Sequence, residues 1–311
     1  MRFAMVFPGQ GSQAVGMGED LCRAYPEARA VFDRADAVLG YSIAAICFGG
    51  PAERLTETRH AQPALLVHSI AVLRVLEANG IQPAAVAGHS LGEYSALVAA
   101  GVLAFDDAIQ LVQRRGELMF ASGVEAPGTM AAVLGASRDL VESACAAARA
   151  HGVCDIANLN APDQIVISGA VAAVHDAMRR LETGGAKMVK ALQVSGAFHS
   201  ALMREPAAGL ARALAATTFA DAKVPVVPNV TAAPETRGQV LRDLLARQID
   251  SPVRWEESMK ALRAACAEPV LEVGAGSVLR GLLRRIDRAA ECTSVGDRPS
   301  LDALLAKTTT P

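Results

Sequence analysis

The sequence predicts an α/β fold in two parts: a large domain on a parallel sheet, with a small βαββαβ unit inserted into it. Three observations predict it. Short apolar runs end in polar or glycine-rich loops and alternate with segments of helical periodicity. The stretch Val86-Ala87-Gly88-His89-Ser90-Leu91-Gly92-Glu93-Tyr94 reads as a buried strand turning sharply into a helix. From Gly128 the pattern switches to β-α-β-β-α-β, the order of a ferredoxin-like unit.

Strand Phe3–Phe7 opens the chain and runs into Pro8-Gly9-Gln10-Gly11-Ser12-Gln13, a loop able to present backbone N–H groups. A phosphate loop would require Gly-Lys-Ser/Thr, and none follows. Ala28, Val31, Phe32, Ala35 and Leu39 recur at helical spacing. Gln62-Pro63 opens a second apolar helix through Leu65, Leu66, Ile70, Leu73 and Leu76, ended by Asn79-Gly80. Ala84–Ala87 is a small apolar strand, and Leu91 to Ala100 is rich in helix formers, with Gly101 as a cap. Between them, Gly88-x-Ser90-x-Gly92 suits a strand-to-helix elbow with serine at its apex. Free N–H groups and the helix dipole favour negative charge there. An oxyanion formed by attack of Ser90 on a carbonyl would be stabilised at that point.

The next helix begins near Asp106-Asp107. Asp107, Gln110, Arg114 and Glu117 form one polar stripe, while Leu111, Arg115 and Leu118 lie beside Val112 and Met119. Of the two adjacent arginines, Arg115 is therefore carried inward. A guanidinium on an apolar face needs a partner, either a protein acid or the anionic group of a ligand. The inserted unit then reads as strand Thr129–Leu134, helix Arg138–Ala150, and strands Val153–Leu159 and Gln164–Ser168 joined by Asn160-Ala161-Pro162-Asp163. Helix Val171–Glu182 ends at Gly184-Gly185, and strand Lys187–Val194 follows.

The chain returns through Ser195-Gly196-Ala197-Phe198-His199-Ser200, which places a histidine just after a strand, where a structural role is more common than a chemical one. Val224–Val227 leads to Asn229, another polar residue at a strand end. Leu241, Leu244, Leu245 and Gln248 share a helical face, so the Gln248 amide is either a helix-end cap or bonded inside. Pro269–Val273 is the last expected strand, followed by Gly274-Ala275-Gly276 and an apolar helix to Ile286; Lys307–Pro311 reads as a disordered tail.

With 311 residues, 51% of them hydrophobic, the chain can bury a large core. Lys+Arg number 30 against 32 Asp+Glu, and aromatics are 4%, so neither nucleic acid nor an anionic membrane is an expected partner. None of the six cysteines forms a C-x-x-C or lies at metal-ligand spacing with histidine, so no metal site is expected. The first apolar run is too short for a signal peptide, and a soluble cytoplasmic protein is expected.

Taken together, these motifs resemble the malonyl-CoA:acyl carrier protein transacylases and the acyltransferase domains of fatty acid and polyketide synthases. The likeness spans Phe7-Pro8-Gly9-Gln10-Gly11-Ser12-Gln13, Gly88-His89-Ser90-Leu91-Gly92-Glu93, Arg115-Gly116, Gly196-Ala197-Phe198-His199-Ser200, Asn229-Val230-Thr231, Gln248 before Ser251-Pro252-Val253, and Glu272-Val273-Gly274. One departure is Ala201, where the family often carries proline. The resemblance implies a large hydrolase-like α/β domain (1–123 and 196–311) and a ferredoxin-like subdomain (124–195). It implies Ser90 as nucleophile, His199 as base oriented by a main-chain carbonyl near Gln248, and Asn229 as a further support. It implies the backbone N–H groups of Gln10 and Leu91 as an oxyanion hole. Arg115 would hold the malonyl carboxylate, Phe198 would lie near the malonyl α-carbon, and His89 would face away and pack. Asn158 and Asn160 would border the thioester channel. The expected partners are malonyl-CoA and the phosphopantetheine thiol of acyl carrier protein, with no permanently bound cofactor and a monomeric enzyme.

Three rivals remain open on sequence: a serine hydrolase or thioesterase sharing the elbow, a non-catalytic carrier-docking module, and a free-standing acyltransferase of a polyketide synthase.

Overall fold

The computed structural model describes residues 1–194 and 196–308. The strands among them are β1 (Arg2–Phe7), β2 (Gln82–Gly88), β3 (Gly128–Leu134), β4 (Cys154–Ala161), β5 (Gln164–Ala170), β6 (Met188–Ala191), β7 (Val226–Val227), β8 (Val270–Val273) and β9 (Cys292–Val295). The large sheet has the order β7-β2-β1-β8-β9, with every neighbouring pair parallel. Central strand β1 is buried from Phe3 to Phe7 because helices cover both faces, which is why it reads as one apolar run. β1 is flanked by β2 on one side and β8 on the other, so the sheet reverses direction of growth there. In open α/β sheets the crevice at the carboxyl ends of such strands is the usual ligand site. Here it brings the Pro8-Gly9-Gln10 loop beside the turn that carries Ser90.

The second sheet has the order β4-β5-β3-β6 and is antiparallel throughout. Helices Arg138–Ala148 and Val171–Thr183 cover one face, with a core of its own that includes Val133, Val141, Ile165, Ile167, Val174 and Leu181. The fold is thus the expected α/β class with a βαββαβ insertion. Edge strand β4 is tied to the large unit by Leu159 N–H to Val253 O (2.9 Å) and Val253 N–H to Ala157 O (2.8 Å).

Several boundaries differ from expectation. The apolar helix runs Thr58–Ala78, so Pro63 lies inside it rather than at its start. The helix opens earlier because Thr58 and Arg59 pack tightly on Gly116, where a Cβ would sit 3.0 Å from Arg59 Cα. This helix is long and apolar enough to cross a membrane, but it is buried in the core. A ninth strand, β9, follows β8; it is short and only Val295 is fully buried, so it carries no alternating signal. The strand expected at Lys187–Val194 stops at Ala191, leaving Leu192 to Val194 as loop. Lys307, expected in the tail, belongs to helix Arg298–Thr308; residues 309–311 lie outside the described residues, as does Ser195.

Candidate active site

The elbow is built from sterics. A Cβ on Gly88 would lie 1.9 Å from Gly92 C, and one on Gly92 would lie 2.1 Å from Phe7 O. Only glycines permit the strand, the turn and the end of β1 to meet this closely. Ser90 at the apex has φ 50°, in the left-handed region. The turn is held from below: Ser90 N–H donates to Asn229 Oδ1 (2.8 Å), and Asn229 Nδ2 donates to Gly88 O (2.7 Å).

His199, also left-handed at φ 57°, brings Nε2 to 2.7 Å from Ser90 Oγ. Its Nδ1 lies 3.0 Å from both Gln248 O and Ser251 O. Two carbonyls can only accept, so Nδ1 carries the proton and Nε2 presents its lone pair to the serine hydroxyl. Burial first, and the Arg115 charge second, push the His199 pKa down to about 3, so the ring is neutral at physiological pH.

Arg115, on helix Phe105–Glu125, is 1% exposed, whereas Arg114 is exposed, as the stripe count requires. Its Nη1 donates to Gln62 Oε1 (2.7 Å); Nη2 donates to Gln248 Oε1 and Ser90 Oγ, each at 3.1 Å. The Tyr94 ring lies 5.8 Å from the guanidinium carbon. Among the described residues no carboxylate is within ion-pair distance of it, and Nε has no acceptor. Desolvation lowers its pKa. A buried cation held only by neutral groups is an open anion site.

A cavity of about 300 Å³ opens above these residues, lined by Gln10, Leu91, Met130, Asn158, Phe198 and His199 among others. The backbone N–H groups of Gln10 and Leu91 make no hydrogen bond within the described residues, leaving both donors available at its floor. Among the described residues no group of His, Cys, Asp or Glu side chains could hold a metal ion.

Asn160 does not join Asn158 on the cavity wall. It is buried and its Oδ1 accepts from His89 Nε2 (2.8 Å), while the His89 ring meets Trp255 edge-on at 5.3 Å. Asn229 likewise supports the serine turn and makes no bond to His199. Ala201 uses the N–H that a proline would lack: it donates to Asp155 Oδ2 at 3.1 Å, linking the histidine loop to β4.

Sequence reasoning missed three contributors. Gln62, a lone amide in an apolar helix, was the clearest available signal, since such a group must bond inside. Glu93 stood within the quoted motif without a role. The Ser251 carbonyl is backbone and leaves no residue signature.

Residues 4–308 match the family model described as the acyl transferase domain. The chain belongs to the acyl transferase family. The acyltransferase is 44% identical to the malonyl CoA-acyl carrier protein transacylase of Escherichia coli strain K12, over 98% of this chain and 99% of that protein. It is 43% identical to the protein of the same name from Bacillus subtilis strain 168, over 97% of this chain and 95% of the relative. A solved structure of a malonyl-transacylase in complex with a type II polyketide synthase acyl carrier protein overlays with a TM-score of 0.95. That overlay covers 99% of this chain and 100% of the other at 40% identity.

Proposed function

We propose that this acyltransferase moves the malonyl group from malonyl-CoA to the phosphopantetheine thiol of acyl carrier protein through an ester on Ser90, supplying fatty acid synthesis. The observation that carries the reading is Arg115, a buried guanidinium with no ion-paired acid among the described residues, whose Nη2 lies 3.1 Å from the serine oxygen. The malonyl carboxylate is the anion that fits it, and docking there delivers the thioester carbonyl to Ser90.

Ser90 Oγ attacks the carbonyl as His199 Nε2 takes its proton. The oxyanion meets the N–H groups of Gln10 and Leu91. When the C–S bond breaks, His199 returns the proton to the coenzyme A thiolate. The carrier thiol then repeats the steps in reverse. Substrate binding also strengthens the base: the incoming carboxylate offsets the Arg115 charge that depresses His199. Asn158 borders the thioester channel, and Phe198 crowds the malonyl α-carbon. In this reading residues 124–195 form the ferredoxin-like subdomain, and the enzyme acts as a cytoplasmic monomer without a resident cofactor.

A second reading keeps the chemistry and changes the acceptor to a polyketide carrier, favoured by the likeness to a transacylase solved with such a carrier. The test supplies malonyl-CoA with holo carrier proteins of both kinds. Malonyl-carrier formation well above malonate release supports transfer, and the better acceptor assigns the pathway. Malonate as the main product would make the protein a thioesterase.

A further inference from the structure

Glu93 takes no part in the scheme above, yet it is fully buried beneath the serine turn. Its Oε2 accepts from Gln248 Nε2 (2.9 Å) and from the Asn229 backbone N–H (3.0 Å). Its Oε1 is buried with no donor among the described residues. The other fully buried glutamate, Glu272, is different. Its Oε1 accepts from Leu279 N–H (2.8 Å), and its Oε2 from Arg280 N–H (3.1 Å) and Ser294 Oγ (2.8 Å), a structural helix cap. Glu93 caps nothing of that kind, and a half-satisfied buried carboxylate is costly to keep.

What Glu93 faces explains its presence. The Gln248 side chain lies between it and Arg115. The amide oxygen accepts from Arg115 Nη2 at 3.1 Å, and the amide nitrogen donates to Glu93. A cation and an anion thus sit at opposite ends of one amide, whose dipole is aligned with both.

We propose that Glu93 is the resting counter-charge of the Arg115 clamp, and that docking of the donor's carboxylate drives a proton onto it, coupling donor binding to proton uptake. This rests on the malonyl reading above. Once the substrate carboxylate pairs with Arg115, one buried cation faces two anions, and the desolvated anion without a direct cation contact is the one that neutralises. Oε1, without a donor among the described residues, is the atom open to the proton. Burial already lifts the Glu93 pKa to about 7, against the pull of Gln248, Asn229 and Arg115, so a second anion nearby tips it over in the neutral range.

The surrounding ionisable groups are few. Tyr94, next on the same helix, is raised out of range by burial. Helix Phe105–Glu125 brings Arg115, while Asn229 and helix Gly238–Gln248 bring neutral amides. Helix Thr58–Ala78 brings Gln62; its buried His68 feels Asp20 and Asp297 instead. Strands β1 and β2 contribute no acidic or histidine side chain. His199 feels both Arg115 and His89, so His199 is the competing proton acceptor the experiment must separate.

The experiment is titration calorimetry of Ser90→Ala, which blocks acylation, in buffers of different ionisation enthalpy near pH 7.5. Malonyl-CoA should bind with uptake of roughly half a proton or more, because a group titrating near 7 is mostly ionised there before binding. Coenzyme A, which lacks the malonyl group, should bind with none. Glu93→Gln in the same background should abolish the uptake. Zero uptake with malonyl-CoA overturns the proposal, as does equal uptake with coenzyme A. Undiminished uptake in a folded Glu93→Gln variant moves the proton to another group, His199 first, and also overturns it. If Glu93→Gln fails to fold, His199→Ala in the Ser90→Ala background keeps the separation: uptake that persists there stays with Glu93, and uptake that vanishes overturns the proposal. Failure of malonyl-CoA to bind at all refutes the donor assignment, a result distinct from binding without a proton.

Discussion

Replacing Arg115 by alanine should largely erase the preference for malonyl over acetyl donors that the proposed function requires. Arg115 is 1% exposed, so solvent does not screen it, and its partners are neutral: Gln62 Oε1, Gln248 Oε1 and Ser90 Oγ. In the proposed function a malonyl carboxylate would make charge-assisted hydrogen bonds to this guanidinium, whereas an acetyl group would leave it as it is. Hydrogen bonds to charged groups contribute about 1.5–3 kcal/mol, which at 1.36 kcal/mol per decade is roughly 10- to 150-fold in the malonyl-to-acetyl ratio of kcat/KM. The ratio is the proper readout, because Arg115→Ala also strips a donor from Gln62 and Gln248, and both donors suffer equally from that loss. The assay measures both thioesters with one carrier protein. Arg114→Ala is the control: its side chain is 51% exposed and pairs with Glu117 at 3.6 Å, so the ratio should not move. A shifted ratio in Arg114→Ala with an unchanged one in Arg115→Ala would refute the clamp.

Other outcomes follow from the same geometry. His199→Ala should slow acylation by roughly 10²–10⁴-fold while leaving malonyl-CoA affinity within a few-fold, as seen by rapid-quench kinetics. Gly92→Ala drives a Cβ into Phe7 O at 2.1 Å, so thermal unfolding should show a loss of about 1–3 kcal/mol or failure to fold. Glu93 is raised from 4.5 to about 7, so its contribution to stability is fully present below about 4.5 and is lost as pH rises to about 7. Denaturant titrations of Glu93→Gln against the parent should therefore favour the variant progressively across that window, by about 3 kcal/mol in total; a pH-independent difference would contradict the burial effect.

The sequence made the chemistry more legible than the scaffold that supports it. The Ser90 elbow was readable because its glycines are steric requirements, and the inward Arg115 because helical periodicity separates it from Arg114. The inserted unit showed itself through the β-α-β-β-α-β order of its elements from Gly128 onward. By contrast, β9 hides because four residues with one buried side chain carry no periodic signal. The start of helix Thr58–Ala78 was misplaced because Pro63 looks like an initiator, while contacts with a helix far along the chain extend the turn beyond it. The roles of Asn160 and Asn229 depended on partners 71 and 139 residues away, His89 and Ser90, which no local pattern encodes. Gln62 and Glu93 were visible as polar residues on apolar faces, but only the fold shows which groups they face.

The most direct test is the covalent intermediate. The enzyme is mixed with malonyl-CoA, quenched in acid, digested and examined by mass spectrometry. A malonyl adduct on the peptide containing Ser90, absent in Ser90→Ala, is the predicted result. An adduct on another residue, or none on an enzyme that transfers malonyl normally, would contradict the serine ester on which the whole reaction scheme depends.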